Sequence, residues 1–531
     1  MIVLTDDTEQ VSSRSSNIAI ITGIVAGGYV LSRVLGLFRQ VVISQEFGVD
    51  NPALSAYFVA FRIPDSLFQL IAGATLSAAL IPVFTKVWTQ EGEDRAWRLA
   101  SSVLNLLFLV TLLLSILSFI CAPWLVPLVA PGLGDNSGSS AELMEMAVRL
   151  TRLMLITPII FCVSGVLTGI LNARHHFVAS AIAPGLYNVG IIFGGLWLID
   201  LWGIEGLAYG VILGSALHLA VQIPSVMFLR MRWTPSLNIR SVFVRSVFKL
   251  AGPRVLGLAA AQLNLFILIL FASLISDESI NIIMFAFMVM MLPVGLAGMS
   301  IATAIFPTLV DDISQDDTIQ FSKELFMALR MTLWLVAPMA AVWIFLADGI
   351  IRVLLEYGAF DSEATRLVAQ TAQILAIGAV GYALVEVLSR GFYASSNTRI
   401  PVLLSAIAVA LNLILAILFV QVSHFGLTGL ALALSISGLF EAILLAIILE
   451  KRNHFILKRE FIRSFGSIFL GVAATIPFIL LPNYFFVDAP SIFKLILQLS
   501  LATLIYLVVT TQLDPQLFKP IRLWRSKIFR V

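Results

Sequence analysis

The chain has 531 residues, of which 59% are hydrophobic and 12% charged, with a formal net charge of +2 and a mean hydropathy of +0.99. Soluble domains carry roughly 25% charged residues, so a soluble multidomain enzyme is excluded and a polytopic membrane protein is the class that fits. The near-neutral charge offers nucleic acid nothing by bulk electrostatics, and two cysteines in apolar runs, Cys121 and Cys162, make neither a disulfide framework nor a zinc site.

Asp6, Asp7 and Glu9 precede the first apolar run. A secretory signal opens on basic residues, so the first helix is expected to be retained. Crossing a bilayer takes about 20 apolar residues. Uncharged stretches of that order run over 15–32, 66–85, 99–134, 153–173, 177–199, 206–229, 255–276, 279–310, 331–347 and 367–385. The stretch 400–440 is too long for one helix and is broken near His424-Phe425-Gly426, so it counts as two. With 464–487 and 495–513, fourteen spans are predicted. The runs are continuous and not alternating, which makes the fold all-α and excludes a β-barrel.

Lysine and arginine set the orientation. With the amino terminus inside, most of the 33 basic residues fall in inside segments, clustering at Lys86/Arg95/Arg98, Arg230–Arg254, Lys451–Arg463 and Lys519–Arg530. The outside segments carry Arg352, Arg366 and Lys494 among acids such as Asp50, Asp135, Asp200, Glu205, Asp277 and Glu278. Both termini are therefore expected on the cytoplasmic side of the membrane.

An internal repeat is visible. AGATLSAALIPVF (72–84) aligns without a gap on AGMSIATAIFPTL (297–309), and GIEGLA (203–208) on GLTGLA (426–431). Helices 1–6, over 15–230, and helices 7–12, over 241–452, are read as two lobes facing the same way, a parallel repeat. Helices 13 and 14, over 460–513, stand outside the symmetry, and 514–531 is a basic cytoplasmic tail. The small residues around Gly73 and Gly298 suit close helix approach and are expected where the lobes meet. Two such lobes imply a site near the midplane that is exposed alternately to each side.

A charge at the centre of a membrane helix costs roughly 2.5–3.5 kcal/mol on insertion scales, so intramembrane charges are functional candidates. The first lobe holds Arg33 and Arg39 in helix 1 and Arg62 near the start of helix 2. Arg33 and Arg39 are offset by about 9 Å along the helix and about 120° around it, so one edge can aim both at a cavity. Each either binds an anion or snorkels to an interface, and Arg62 has a third option in a local contact with Asp65. With no matching carboxylate evident in this lobe, an anionic ligand is expected; guanidinium groups suit phosphate. Glu386 and Arg390 read as an i, i+4 ion pair in helix 10. Glu441 in helix 12 has no local partner and is read as a proton or cation site or as a partner for a lobe arginine. Arg149 and Arg152 read as anchors toward the outer side. His175-His176 lacks a third ligand for metal. The acidic doublets Asp311-Asp312 and Asp316-Asp317 read as solvated loop charge, and no P-loop, GxSxG or HExxH is present, so no enzyme is expected.

The runs SRVLGLFRQVVISQEFG (32–48) and FVAFRIPDSLFQLIAGATLSAALIPVF (58–84) resemble the bacterial lipid II flippase family (MurJ/MviN). LPVGLAGMSIATAIFPTL (292–309), GFYASSNTRIPV (391–402) and the fourteen-span plan extend the resemblance over nearly the whole chain. It implies the fold of the multidrug/oligosaccharidyl-lipid/polysaccharide exporters and, in helices 13 and 14, a groove for lipid tails. It implies movement of an anionic lipid-linked saccharide, the undecaprenyl-diphosphate peptidoglycan precursor, from the inner to the outer leaflet. Arg33, Arg39 and Arg62 then match the family's cavity cations, and Asn412 a conserved position of helix 11. No cofactor is implied; membrane potential, H+ or Na+ would drive the cycle, and a cell-wall synthesis complex is the implied partner. The sequence departs from the family pattern at Gln40, Ser55, Gly73-Ala74, Met288, Met291 and Ala416, where the family usually or in some members places charged residues. Export of another polyprenyl-linked saccharide or of a small amphiphile, and a non-transporting scaffold, are the alternatives.

In a background free of Cys121 and Cys162, single cysteines at Ser137 and Ser491 are expected to react with an impermeant thiol reagent applied to intact cells, and one at Ser526 is expected to stay unlabelled. Labelling at Ser526 would overturn the orientation.

Overall fold

The computed structural model describes residues 27–28, 30–71, 74–135, 138, 140–453, 459–485 and 490–515. Gly73, Ser137, Ser526, most of the first predicted span and most of the basic tail lie outside them. Among the described residues every regular element is helical. Twelve helices are long and apolar enough to cross a membrane, from Glu93–Val129 to Ser491–Leu513. Ahead of them lie a helix over 30–47 and the helices Pro52–Ile71 and Ala74–Glu91.

The second predicted span was placed at 66–85, but its helical run begins at Pro52. Arg62 and Asp65 break the uncharged run in the sequence, yet they pair with each other and so stay inside the helix. Pro64 has no N–H to give the Ala60 carbonyl; Thr151 Oγ1 lies 3.5 Å from that oxygen and donates to it. Ser66 Oγ donates to the Arg62 carbonyl at 2.7 Å.

Sidedness is inverted relative to a soluble bundle. On Glu93–Val129, Thr111 and Ser115 are buried while Leu113, Leu117 and Ile120 are exposed. Lipid tails solvate leucine as well as a core does, so small polar residues occupy the helix contacts. Glycine permits the tightest of these: a Cβ on Gly190 would lie 2.3 Å from Gly214 Cα, and one on Gly381 2.7 Å from the Gly438 carbonyl carbon. Gly298 packs the same way, with a Cβ meeting Ala383 Cα at 2.8 Å. Its close contact is thus with helix Ser362–Ala394 of its own half.

Three π turns interrupt the helices, at Gly194–Leu198, Val294–Met299 and Ile417–Val422. The first and third start at corresponding positions when 203–208 is aligned on 426–431.

The chain divides into two compact units, Met1–Gln262 and Leu263–Val531, with the division inside helix Val242–Ile275. In the first unit Phe84, Trp97, Val166 and Ile170 form a core that Val244, Val247 and Ala251 of that helix join. The segment 231–241 is fastened to helix Glu93–Val129: Asn105 Nδ2 donates to the carbonyls of Thr234 and Ser236 at 2.9 Å each, and Thr234 N donates to Ser101 Oγ at 3.1 Å. The second unit has a core around Phe321, Leu325, Phe392 and Leu445.

Helices Arg459–Phe485 and Ser491–Leu513 pack on each other and on Thr318–Leu355. Tyr506 OH donates to the Trp334 carbonyl at 2.8 Å, and Trp334 Nε1 donates to Thr510 Oγ1 at 3.2 Å. At one end the Arg330 guanidinium pairs with the buried Asp514 carboxylate, which also accepts from Ser464 Oγ at 2.8 Å. Arg330→Ala strands that carboxylate, and losing one partner of a buried pair costs about 3–5 kcal/mol. A marked fall in the thermal midpoint of the detergent-solubilised protein is expected, and a smaller one for Arg330→Met combined with Asp514→Leu. Equal midpoints for Arg330→Ala and the unmodified protein would show that the pair holds nothing.

Candidate functional site

The first unit gathers charge where its helices are otherwise apolar. Arg33 is exposed, with no hydrogen bond or ion pair among the described residues. Arg39 is half-buried, and its Nε is enclosed without a hydrogen-bond partner. Arg62 is 8% exposed, with Nη1 3.2 Å from Asp65 Oδ2. Arg39 also acts electrostatically on Asp65 and on the phenols of Tyr57 and Tyr187, which brings helices 30–47, Pro52–Ile71 and Phe177–Phe193 to one polar cluster.

The expectation of three cations without a matching acid is therefore corrected. Asp65 compensates Arg62, while Arg33 and Arg39 make no ion pair among the described residues. The next side chain, Gln40, is 7% exposed and its Oε1 has no partner. Asn188 fixes the first helix in place: its Nδ2 donates to the Ser32 carbonyl at 3.2 Å and to that of Pro184 at 3.1 Å.

Behind Tyr187 stands an aromatic row. Phe161 lies 5.1 Å from Tyr187, 4.4 Å from Phe68 and 5.2 Å from the His218 imidazole, centroid to centroid. His218 belongs to a network with Ser164, Gln222 and Thr168 that the sequence reading passed over. A histidine and a glutamine at i, i+4 in a stretch scored only for charge were the available signal.

In the second unit Arg390 Nη2 and Glu386 Oε2 are 3.7 Å apart, and the guanidinium also lies about 6.0 Å from the centroids of Phe306 and Tyr393. Glu441, read as having no local partner, has a distant one: Ser405 Oγ donates to its Oε1 from helix Arg399–Ala416. A partner on another helix, 36 positions away, is not visible to an i, i+4 search. Glu386 acts electrostatically on Glu441. Asn412 is fully buried, and its Nδ2 donates to Asn264 Oδ1 at 3.0 Å. Met288 and Met291 are half-buried, and Ala416 is buried.

Elsewhere Arg149 pairs with Glu205 at 2.7 Å, and Arg152 Nε donates to the Phe119 carbonyl at 3.1 Å, so both are tied down as anchors. Asp317 caps helix Thr318–Leu355 by accepting from Gln320 N. No group of three potential metal ligands occurs among the described residues.

The all-helical, apolar build of the chain agrees with what comparison with known proteins finds. The family model described as lipid II flippase MurJ matches residues 43–496. The chain belongs to the MurJ family. It is 31% identical over 451 residues to a probable lipid II flippase MurJ of Rhizobium tropici, covering 82% of this chain and 81% of that one. It is 30% identical over 436 residues to the lipid II flippase MurJ of Burkholderia cenocepacia, covering 81% and 83%. A solved structure of lipid II flippase MurJ in an inward closed conformation superposes with a TM-score of 0.78 at 26% identity, over 93% of this chain and 99% of that one. An inward-facing multidrug resistance MATE family transporter of the MOP superfamily gives a TM-score of 0.65 at 15% identity, over 80% and 94%, a likeness of fold alone.

Proposed function

We propose that this protein is a flippase that carries lipid II, a diphosphate-linked saccharide on a polyprenyl tail, from the inner to the outer leaflet of the bacterial plasma membrane. MurJ membership over most of the chain carries the reading, and the Arg33/Arg39/Arg62 cluster supplies the chemistry. It is a multi-pass transporter with fourteen spans, both termini inside and two six-helix lobes that expose the substrate site alternately to each side.

The diphosphate is bound by Arg33 and Arg39, whose guanidinium groups are free to fork onto phosphate oxygens. Arg62 is held by Asp65 and joins as the anion arrives, when a stronger acceptor competes for its donors. Tyr57 and Tyr187 line the same cluster and suit the saccharide hydroxyls. The tail stays in lipid along helices Arg459–Phe485 and Ser491–Leu513, where Phe469, Leu470, Ile496 and Leu504 are exposed. An inside-negative potential favours outward movement of an anion by roughly 2.3 kcal/mol per charge per 100 mV. Glu386, Arg390, Glu441 and Asn412 form the polar interior of the second lobe and serve lobe contacts or ion coupling. No cofactor takes part, and the cell-wall synthesis machinery is the natural partner for the delivered precursor.

One observation favours a second reading. The buried Gln40 and the half-buried Met288 stand where the family pattern implied by the resemblance has charge, and with those charges replaced a related polyprenyl-diphosphate saccharide fits the same site.

Complementation of a flippase-depleted bacterium is the primary test, and growth is expected. Arg33→Ala and Arg39→Ala are each expected to abolish complementation and weaken lipid II binding by native mass spectrometry, because a charge-assisted hydrogen bond is worth about 1.5–3 kcal/mol. Lysine at either position should rescue in part, a point charge lacking the planar fork. Full activity in both alanine variants would refute the anionic-lipid site. Met288→Arg is expected to be tolerated and to tighten binding if helix Asp277–Pro293 faces the headgroup; loss of folded protein would remove that helix from the site.

A further inference from the structure

Two titratable side chains in the apolar helices are not used by the arginine site, and the internal repeat relates them. Aligning GIEGLA (203–208) on GLTGLA (426–431) and continuing without a gap places His218 opposite Glu441. Each sits on the sixth helix of its half, and each is bonded to a serine on a neighbouring helix: His218 to Ser164 Oγ at 2.6 Å, Glu441 to Ser405 Oγ.

The His218 network has a direction. Thr168 Oγ1 donates to Gln222 Oε1 at 3.0 Å, and Gln222 Nε2 donates to Ser164 Oγ at 2.7 Å. When the Ser164 hydroxyl donates to His218 Nδ1, the imidazole is neutral with its hydrogen on Nε2. A second arrangement is built in. When Nδ1 takes up a proton, the imidazolium donates to Ser164 Oγ and the serine hydroxyl turns to the His218 carbonyl, 3.4 Å away. The two arrangements differ by one proton and one unit of charge.

On the helices packed against that of His218, the titratable and charged residues are Tyr187, Cys162, Glu142, Glu145, Arg149, Arg152 and Asp200. Of these, Arg149 is paired with Glu205, about 20 Å along the helix axis. Glu441 is 5% exposed and feels Glu386, which is held by Arg390, with Tyr382 beside it; Arg399, Asp277 and Glu278 stand on the other packed helices.

We propose that the sixth helix of each half carries a proton-binding site, His218 with Ser164 in the first and Glu441 with Ser405 in the second, and that their occupancy is linked to the transport cycle. Only that link rests on the flippase reading.

The test has two arms. Infrared difference spectra of the full chain in nanodiscs, taken from mildly acidic to mildly alkaline pH without substrate, should show an imidazole band lost in His218→Gln and a carboxyl band lost in Glu441→Gln. Ser164→Ala and Ser405→Ala should keep the bands and displace their midpoints. In proteoliposomes with the potential clamped, lipid II flipping should vary with pH, and either Gln variant should flatten the profile. Spectra unchanged by all four substitutions would overturn the proton sites whatever the substrate is. Intact titration with pH-independent flipping would overturn the link. Intact titration with no flipping at all would uphold the sites and overturn the lipid II reading.

Discussion

A bilayer core offers no water to an unmet hydrogen-bonding group, so each polar atom carried into it must find its partner in the protein. That demand organises this chain more than any hydrophobic core does. It explains why Thr151 stands over the carbonyl that Pro64 leaves open. It explains why Asp514, at the end of the last helix, is buried against Arg330 and Ser464.

Against that background, polar groups left without partners carry the functional information. Most intramembrane charges are settled locally: Arg62 by Asp65, Arg390 by Glu386, Arg149 by Glu205. Among the described residues Arg33 and Arg39 are not, and the Gln40 carbonyl oxygen beside them is also unmet. Under the function proposed above, an anionic headgroup is the ligand that would compensate them.

Composition and charge-free length were enough to read the class and most of the helices, because a membrane span is written as one continuous signal. The arginines were legible for the same reason, as breaks in that signal. The true start of the second helix was not, since a self-neutralising pair such as Arg62–Asp65 looks like a loop to a charge count. The Ser405–Glu441 and Arg330–Asp514 bonds join positions far apart in the chain, and periodicity on one helix cannot reach them. His218 was missed for a different reason: it carries no formal charge, so its role rests on the three neutral side chains around it.

The Arg330–Asp514 bond also bears on how the protein is made. Arg330 is synthesised well before its partner, because Asp514 follows it by 184 positions. At about 5–20 residues per second, the ribosome takes roughly 10–40 s to deliver that carboxylate. Throughout that interval helix Thr318–Leu355 carries a guanidinium without this carboxylate. The bond that fastens it to the end of helix Ser491–Leu513 can therefore form only after both helices of that appended pair have been made.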